Sequence, residues 1–460
     1  MSSVPTIIDT HCHIYYQEYQ ADWDAMMERA NAAGVRGMVV IGTDVASSRQ
    51  VVALAEKHPN LYATVGIHPH DAAGITDDDI QTLKQLAVSS KKVVAIGEIG
   101  LDFYRDRSPR EDQRRVFSAQ LELARECSLP VVIHDRDAHE ETLALIKQAG
   151  VTKGVMHCFS GDLSFAKRCI EQGLYLSIPG TITYPNNTIL HDVVRSVHLE
   201  HLLVETDAPY LTPVPHRGKR NEPSYTRITA QAVADLKGVT LDDVARTTTM
   251  NAGRLFGIDV WDSSTKLAYR IRNSLYLNVT NRCSNHCTFC PKFYDFTVKG
   301  HNLLLDHEPG YEEMLAAVGS PEGITEIVFC GFGEPLIRLS LVKQLAKTLK
   351  ERGYTIRINT DGQANLVHGR SILPELAGLV DHISVSLNAA DAATYQELCN
   401  TPYGADGYAG VCQFIAEATR YIPTVTASAV TVPGVDIEAC RAMAKRLGAQ
   451  FRIREYEDVG

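Results

Sequence analysis

The sequence has no continuous apolar stretch that approaches about 18 residues, the length at which a membrane-spanning helix becomes a candidate. Its N-terminus, MSSVPTIIDTHCHI, also lacks the basic start and the apolar core of a secretory signal. These two absences predict a cytoplasmic protein that has no membrane partner.

The sequence also lacks an excess of basic residues and any regular cysteine framework. Its 45 Lys and Arg residues face 55 Asp and Glu residues, for a net charge of −10. This charge argues against a protein that wraps nucleic acid through a broad basic surface, but allows a nuclease that binds phosphate through metals and a few arginines. The 11 cysteines are an odd number and are scattered, which argues against a disulfide scaffold. Only Cys283, Cys287 and Cys290 form a cluster.

The chain has 460 residues, enough for two or three domains of about 100–200 residues each. Short apolar runs alternate with helical patterns over the first 260 residues or so. Because continuous apolar runs are typical of parallel strands covered on both faces, eight such units predict a closed (β/α)₈ TIM barrel. The runs are TIIDTH, GMVVIGT, YATVGIHP, VVAIGEIG, PVVIHDR, GVMHCFS, LYLSIPG and LLVETDAP.

A polar segment without clear periodicity, IDVWDSSTKLAYRIRN, follows a helical pattern that ends at Gly257. We place a domain boundary in it, and predict one domain over residues 1–262 and a second over 263–460. Six further strand–helix units in the second domain predict a partial (β/α)₆ barrel or an open parallel sheet.

Metal-ligand side chains stand at the ends of five predicted strands in the first domain. They are His11, His13, Glu98, His134, His157 and Asp207. Strand ends of a parallel barrel meet at one mouth, where barrel enzymes carry their chemistry. Imidazoles and carboxylates together favour divalent ions such as Zn²⁺, Mn²⁺ or Mg²⁺. We therefore predict a site for two metal ions.

The strand order predicts how the ligands divide. His11, His13 and Asp207 come from the first and last strands and can hold one ion, whereas His134 and His157 can hold another. Glu98 has two oxygens and can bridge them. Two metals about 3.5–4 Å apart can clamp a phosphoryl centre and activate water, whose proton Asp207 can accept. Amides, lactones and other esters are also compatible with such a site.

Residues 5–258 resemble the TatD family of metal-dependent hydrolases. The matching motifs are DTHCH, GIHPH, GEIGLDFYR, VVIHDR, HCFSG, ETDAPYL, RGKRNEP and NAGRLFG. The resemblance implies a (β/α)₈ barrel, the six metal ligands above and deoxyribonuclease activity of the 3′–5′ exonuclease type, with DNA or a nucleotide as substrate. Catalytic roles are expected for Asp207 and Glu98.

Substrate contacts are also expected near this mouth. His68 in GIHPH is a candidate phosphate contact, although packing at a strand end explains it almost as well. Arg105 and Arg220 lie in loops after the fourth and eighth predicted strands and are candidates for binding phosphate. A solvated charge run is an equal alternative for the arginines.

The cluster NRCSNHCTFCPK holds Cys283, Cys287 and Cys290 in a C-x₃-C-x₂-C spacing. Thiolates bind four-iron clusters, and three of them leave one iron open to a small molecule. A zinc site that adds His286 is the rival interpretation.

Later strand ends carry groups that suit a ligand. Gly331 and Gly333 allow close backbone approach, Glu334 can accept from an ammonium group, and Asn359, Ser386 and Asn388 can bond polar groups.

Residues 270–460 resemble the radical SAM family, through the three cysteines and the GFGEP segment, in which Phe332 replaces a common glycine. The resemblance implies a [4Fe–4S] cluster whose open iron chelates S-adenosylmethionine, which is cleaved to a 5′-deoxyadenosyl radical. It also implies S-adenosylmethionine contacts at Gly331, Gly333, Glu334, Asn359, Ser386 and Asn388, and a reductant such as flavodoxin or ferredoxin. The fusion resembles the TatD-associated radical SAM group.

The leading interpretation is therefore a bifunctional enzyme. The alternative is a front domain that hydrolyses a non-DNA ester or amide, with an iron–sulfur domain that regulates it or senses redox state.

Overall fold

The computed structural model describes residues 4–456. The chain divides between Trp261 and Asp262 into two compact units, the front unit and the back unit. Within the described part of the chain, no helix has both the length and the apolar character that crossing a membrane requires.

The front unit is a parallel barrel. Its eight strands are hydrogen-bonded in chain order, and a parallel bridge between Cys12 and Ala208 joins the first strand to the segment after the last. This arrangement confirms the predicted (β/α)₈ barrel. The strands are β1 (Ile7–Cys12), β2 (Val35–Ile41), β3 (Leu61–Val65), β4 (Val93–Asp102), β5 (Val131–Arg136), β6 (Gly154–Met156), β7 (Leu174–Ile178) and β8 (Leu202–Val204).

Helices follow the strands and cover the barrel. They are α1 (Trp23–Ala32), α2 (Val45–Lys57), α3 (Asp77–Ser89), α4 (Arg110–Cys127), α5 (His139–Gln148), α6 (Leu163–Glu171), α7 (Thr188–Ser196), α8 (Thr226–Lys237) and α9 (Leu241–Phe256). Capping boxes start α3 and α9, where Thr76 and Thr240 accept from the backbone N–H groups of Asp79 and Asp243. The last helix ends at Gly257 in the left-handed conformation, where glycine is favoured.

Two glycines allow β4 to lie close to β5. A Cβ atom on Gly97 would lie 2.5 Å from Cβ of Val132. Gly100 has a φ of +148°, and a Cβ atom there would lie 1.9 Å from the carbonyl oxygen of His134. Side chains at either position would force the strands apart, and these are the strands that carry two of the predicted metal ligands.

The back unit contains a seven-stranded sheet in the order β17-β16-β15-β14-β13-β10-β9 and a separate hairpin of β11 and β12. Neighbouring strands are parallel along the six strands β10, β13, β14, β15, β16 and β17. These six strands confirm the partial barrel that the sequence predicts. The strands are β9 (Ala268–Ile271), β10 (Ser274–Leu277), β11 (Thr297–Val298), β12 (His301–Asn302), β13 (Glu326–Phe329), β14 (Thr355–Thr360), β15 (His382–Ser386), β16 (Thr424–Val430) and β17 (Gln450–Arg454).

Strand β9 was not predicted. It pairs antiparallel with β10 at the edge of the sheet, and its four residues lie in the polar segment after the first domain, too short for a periodic signal. The helices of this unit are α10 (Tyr311–Val318), α11 (Leu339–Glu351), α12 (Ala364–His368), α13 (Leu373–Leu376), α14 (Ala392–Cys399), α15 (Ala405–Ala418) and α16 (Ile437–Arg446).

Candidate metal centre and cysteine-loop site

The barrel brings the six predicted ligands of the front unit to one mouth. His11 lies in β1, Glu98 in β4 and His134 in β5, whereas the others directly follow a strand: His13 after β1, His157 after β6 and Asp207 shortly after β8. Five of the six therefore lie at or near the carboxyl ends of strands, whereas Glu98 lies within β4, which continues to Asp102.

The first group of ligands surrounds Glu98 Oε2. The Nε2 atoms of His11 and His13 lie 3.3 Å apart and are 3.5 and 3.9 Å from this oxygen. Asp207 Oδ1 lies 3.7 Å from His11 Nε2 and 3.5 Å from His13 Nε2. Four donor atoms thus face one another across a few ångströms, and no basic side chain other than imidazole pairs with them in the described structure.

The second group surrounds the other oxygen, Glu98 Oε1. It lies 2.8 Å from His134 Nδ1 and 3.4 Å from His157 Nε2. His68 Nε2 is also 3.4 Å away. His68 therefore faces the site. This position is the one that its predicted role as a phosphate contact requires.

These separations fit divalent ions. Metal–ligand bonds of about 2.1 Å in tetrahedral geometry set neighbouring donors about 3.4 Å apart. The distances within both groups range from 2.8 to 3.9 Å around this value. Three sets of residues could each offer one atom per residue to a single ion: His11, His13 and Glu98; His11, His157 and Asp207; and His68, Glu98 and His134. The residues present fit a pair of metals that share Glu98.

The electrostatics of the centre also favour a bound cation. Burial would raise the pKa of Glu98, but the charges of His68 and His157 and hydrogen bonds from His11 and His134 hold the pKa well below its usual value. Burial lowers the pKa of His11, so its lone pair is free at neutral pH. Burial would lower the pKa of His134 as well, but its contacts with Asp102 and Glu98 raise it to about 9. Without metal, imidazolium balances the carboxylates, and metal binding therefore releases protons.

Two acidic residues that contact the ligand imidazoles, Glu205 and Asp102, were missed in the sequence. Glu205 Oε1 lies 3.1 Å from His157 Nδ1 and accepts from the backbone N–H of Cys158 at 2.7 Å. Asp102 Oδ2 lies 3.1 Å from His134 Nε2 and 2.8 Å from His70 Nε2. The sequence signal was weak but present, because Glu205 stands two residues before Asp207 in ETDAP and Asp102 ends GEIGLD.

The two predicted phosphate-binding arginines differ in their surroundings. Arg105 is exposed in the loop after β4, with its guanidinium 5.6 Å from the ring of Tyr104. Arg220 instead forms a two-pronged ion pair with Asp22, at 2.9 and 2.8 Å, and lies over the ring of Tyr19. Arg105 is thus the better placed for a substrate, and the substrate role of Arg220 stays a prediction.

In the back unit, the three cysteines lie in the loop after β10. The backbone N–H of Cys290 donates to the carbonyl of Cys287, and the N–H groups of His286 and Thr288 donate to the carbonyls of Cys399 and Leu398, which fixes the loop against the end of α14. Burial raises the pKa of Cys283 and of Cys290. All three cysteines are half-buried, and a bound metal would supply the positive charge that stabilises their thiolates.

Glu334 lies beside this loop and is 2% exposed. Its carboxylate accepts from the hydroxyl of Thr360, from the N–H of Leu336 and from the N–H of Asp361. Burial raises the pKa of Glu334, and the charge of Asp361 adds to the rise. A cationic group bound here would lower the pKa of Glu334 again. The predicted contact with an ammonium group is consistent with this position.

The adjacent glycines form a close cradle. A Cβ atom on Gly333 would lie 2.2 Å from the carbonyl oxygen of Thr280, and one on Gly331 would lie 2.4 Å from Asn278 Oδ1. Because the close atom at Gly333 belongs to the backbone, only glycine fits there, and the segment can lie directly against the strand end before the cysteine loop.

The remaining predicted contacts lie at the ends of β14 and β15. Asn359 Oδ1 is buried and has no hydrogen-bond partner in the described structure. Ser386 Oγ and Asn388 Oδ1 both accept from Nη2 of Arg454, at 3.2 and 3.1 Å. Arg454, at the end of β17, was not singled out in the sequence.

Comparison with known proteins assigns the two halves. Residues 8–257 match the sequence model of the TatD related DNase family, and residues 277–447 match that of the radical SAM superfamily.

Relatives match over the front half. YabD of Bacillus subtilis, described as an uncharacterized metal-dependent hydrolase, is 42% identical over 255 residues, which are 55% of this chain and 100% of YabD. The 3′-5′ ssDNA/RNA exonuclease TatD of Enterobacter lignolyticus is 38% identical over 259 residues, 55% of this chain and 99% of that protein. Among solved structures, the TatD homologue YjjV of Escherichia coli is 34% identical with a TM-score of 0.54, and the match covers 56% of this chain and 100% of YjjV.

Proposed function

Because this chain belongs to the TatD related DNase family, we propose that its front unit is a two-metal hydrolase that cleaves phosphoester bonds of DNA from the 3′ end. The observation that carries the proposal is the division of donors around Glu98, whose two oxygens face two different groups of imidazoles. The exonuclease named among the relatives supports the choice of nucleic acid.

The geometry supports roles for the residues of the mouth. Divalent ions, when bound, supply Lewis-acid stabilisation of phosphoryl oxygens and lower the pKa of water. His11, His13 and Asp207 would hold one ion, His134 and His157 the other, with Glu98 shared.

A proton acceptor and a phosphate contact lie within the same mouth. The Asp207 side chain is 14% exposed against 5% for Glu98, so Asp207 is the carboxylate better placed to accept a proton from water. Arg105 is exposed after β4 and offers a phosphate contact.

We further infer that the back unit binds a [4Fe–4S] cluster on Cys283, Cys287 and Cys290, together with S-adenosylmethionine. When bound and reduced by a partner such as flavodoxin or ferredoxin, these groups would supply radical chemistry for hydrogen abstraction. Glu334 would accept hydrogen bonds from an ammonium group, and the unpartnered Asn359 Oδ1 would accept one from a hydroxyl. The match to the radical SAM superfamily supports this assignment.

The hydrolase is tested with the metal-loaded full chain and single-stranded DNA labelled at its 5′ end. We expect a ladder of products shortened from the 3′ end. Asp207→Asn is expected to slow the reaction by about 10²–10⁴-fold, the range for loss of a general base, whereas Asp192→Asn, an exposed change on α7, leaves the rate unchanged. Turnover of model esters or amides without turnover of DNA would instead support the non-nucleic-acid hydrolase.

The radical site is tested by anaerobic purification and incubation with S-adenosylmethionine and dithionite. About four irons per chain are expected, since three thiolates suit a four-iron cluster, along with formation of 5′-deoxyadenosine. Both are lost in Cys287→Ser and kept in the control Cys412→Ser, whose cysteine lies on α15. A cluster that assembles without cleaving S-adenosylmethionine would favour a regulatory or redox-sensing role.

A further inference from the structure

A groove lined by aromatic side chains begins beside the metal centre of the front unit. It encloses about 300 Å³, which is within the size range of ligand pockets. One wall is the segment between β1 and the start of α1, residues 14–23, and the other wall is the side of α2 at residues 50–57. Tyr15, Tyr16 and Trp23 supply three rings to this aromatic groove, and Lys57 supplies a charge.

Tyr16 connects the aromatic groove to the metal centre. Its ring stacks on the ring of His13, a proposed metal ligand, with centroids 5.4 Å apart and planes at 19°. The ring of Tyr15 meets that of Tyr16 edge-on at 4.7 Å. Tyr210 lies 6.4 Å from both Tyr16 and His13 and is 53% exposed. The aromatic groove thus starts one ring away from the place where the phosphate is proposed to bind.

The rings of the aromatic groove are not simply part of the hydrophobic core. Tyr19, from the same segment, is such a core residue, because it is fully buried and its hydroxyl donates to the carbonyl oxygen of Asn221 at 2.6 Å. Tyr15, Tyr16 and Trp23 pack against the core as well, but each remains partly exposed. They therefore keep aromatic surface on which a ligand can stack.

The charge of the aromatic groove suits an anionic ligand. Lys57 is the charged member of the nine described residues that line it, and no carboxylate lies among them. The chain as a whole carries a net charge of −10, so a surface with this sign is unusual for the molecule. Aromatic faces next to a positive charge are the combination with which proteins bind the bases and the backbone of single-stranded nucleic acid.

We propose that the aromatic groove binds an unpaired nucleobase near the 3′ end of the strand that is cleaved, with the base stacked on Trp23 and Tyr16 and with Lys57 at a backbone phosphate. This inference rests on the proposed function of the front unit and adds a subsite to it. Every base has an aromatic face, so stacking tolerates any base. The aromatic groove therefore detects that a base is present and unpaired, rather than which base it is.

The first test measures cleavage by the metal-loaded full chain. The substrates are single strands labelled at the 5′ end, in which an abasic nucleotide replaces each nucleotide near the 3′ end in turn. Trp23→Leu keeps an apolar side chain without a ring, and Trp23→Phe keeps a ring. Tyr175→Leu is the matched control, because Tyr175 is a partly buried aromatic residue on β7 outside the aromatic groove. Metal content shows whether each variant is intact.

We expect one position at which the abasic nucleotide lowers kcat/KM of the natural protein by about 5–150-fold, the range for loss of one stacked base. Trp23→Leu is expected to cleave the complete strand and this abasic strand at the same reduced rate. Trp23→Phe and Tyr175→Leu should retain the difference between the two strands. Lys57→Gln should raise KM and weaken its dependence on salt, whereas Lys91→Gln, an exposed change after α3, should do neither.

The second test detects the contact directly and needs no substitution of Trp23. The chain has two tryptophans, Trp23 and Trp261, so Trp261→Phe leaves Trp23 as the source of indole fluorescence. This change is combined with Asp207→Asn, which slows cleavage during the measurement. Binding of the complete strand is expected to quench the fluorescence of Trp23, and binding of the strand that is abasic at the critical position is expected to leave it unchanged.

The proposal is overturned if no abasic position slows the natural protein, a result that depends on no variant. It is also overturned if Trp23→Leu with full metal content keeps the abasic penalty, or if both strands change the fluorescence of Trp23 equally, because the base would then bind elsewhere. Cleavage of esters or amides without cleavage of DNA counts against the proposed function of the front unit. In that case the fluorescence measurement still decides whether the aromatic groove binds a base.

Discussion

Replacing Glu205 by Gln is expected to weaken metal binding at the front site without removing a ligand. The Glu205 side chain is fully buried, 3.1 Å from His157 Nδ1, on the side of the ring opposite Nε2, which faces Glu98 Oε1. Gln keeps the shape and can still accept from the N–H of Cys158, but it loses the charge that makes the imidazole a stronger ligand. Removing the carboxylate that contacts a ligand imidazole typically costs about 10–100-fold in metal affinity.

The magnitude converts into a measurable stability change. At saturating metal, a 10–100-fold weaker dissociation constant removes about 1.4–2.7 kcal/mol of metal-dependent stabilisation. For a domain of this size each kcal/mol is worth about 2–4 °C, so the difference in Tm between metal-loaded and metal-free protein is expected to shrink by about 3–10 °C.

The assay is thermal denaturation of metal-loaded and chelator-treated protein, together with competition against a chelator of known affinity. Glu171→Gln, an exposed change at the end of α6, serves as the matched control. Equal metal affinity in Glu205→Gln and the natural protein would refute the claim that Glu205 orients His157 for metal. A fall in Tm of the same size with and without metal would assign Glu205 to folding alone.

Two further predictions address the frame of the front site. Gly100→Ala is expected to destabilise the front unit by about 3 kcal/mol or more, because a Cβ atom would lie 1.9 Å from the His134 carbonyl oxygen at a φ of +148°. The control Gly150→Ala has open space around it and should cost only about 1 kcal/mol. Urea denaturation measures the free energy of unfolding of both variants. Hydrogen bonds from Arg220 and Arg29 hold the pKa of Asp22 at about 2, below its ordinary 3.8. A carboxyl group whose pKa is lower in the folded than in the unfolded protein stabilises the fold at pH values above its unfolded pKa. Asp22→Asn should therefore lower the free energy of unfolding near pH 6, by only up to ~1 kcal/mol because the ion pair is partly exposed. That loss should fade as pH drops from about 4 toward 2, and a pH-independent difference would contradict it.

The strand ends were predictable from the sequence because a parallel barrel has only one face where they meet. Runs such as VVAIGEIG and PVVIHDR indicate both a strand and a polar side chain toward its end, so Glu98 and His134 could be singled out as candidates without coordinates. The family resemblance added the ligand set as a whole. The geometry then shows which Glu98 oxygen faces which imidazole, and no sequence pattern contains that information.

The residues that support the ligands were harder to predict, because their partners are distant in sequence. Glu205 meets the backbone of Cys158, 47 residues earlier, and β7 lies between their strands. Arg454 meets Ser386 from 68 residues away, and QFRIREY alone shows only a strand that contains arginines. Arg220 is paired with Asp22 across 198 residues, which a local charge run cannot reveal. Such contacts depend on strand register and side-chain direction, both of which are set by the whole fold.

The charge distribution distinguishes the two candidate sites. In the front unit, Glu98, Asp207 and Glu205 meet imidazoles, and the balance is completed either by protons or by metal ions. In the back unit, burial and the charge of Asp361 raise the pKa of Glu334. A bound ammonium group would oppose that rise, because a positive charge stabilises the carboxylate form. The front site is thus balanced by its own imidazoles, whereas the back site depends on a ligand to supply the positive charge.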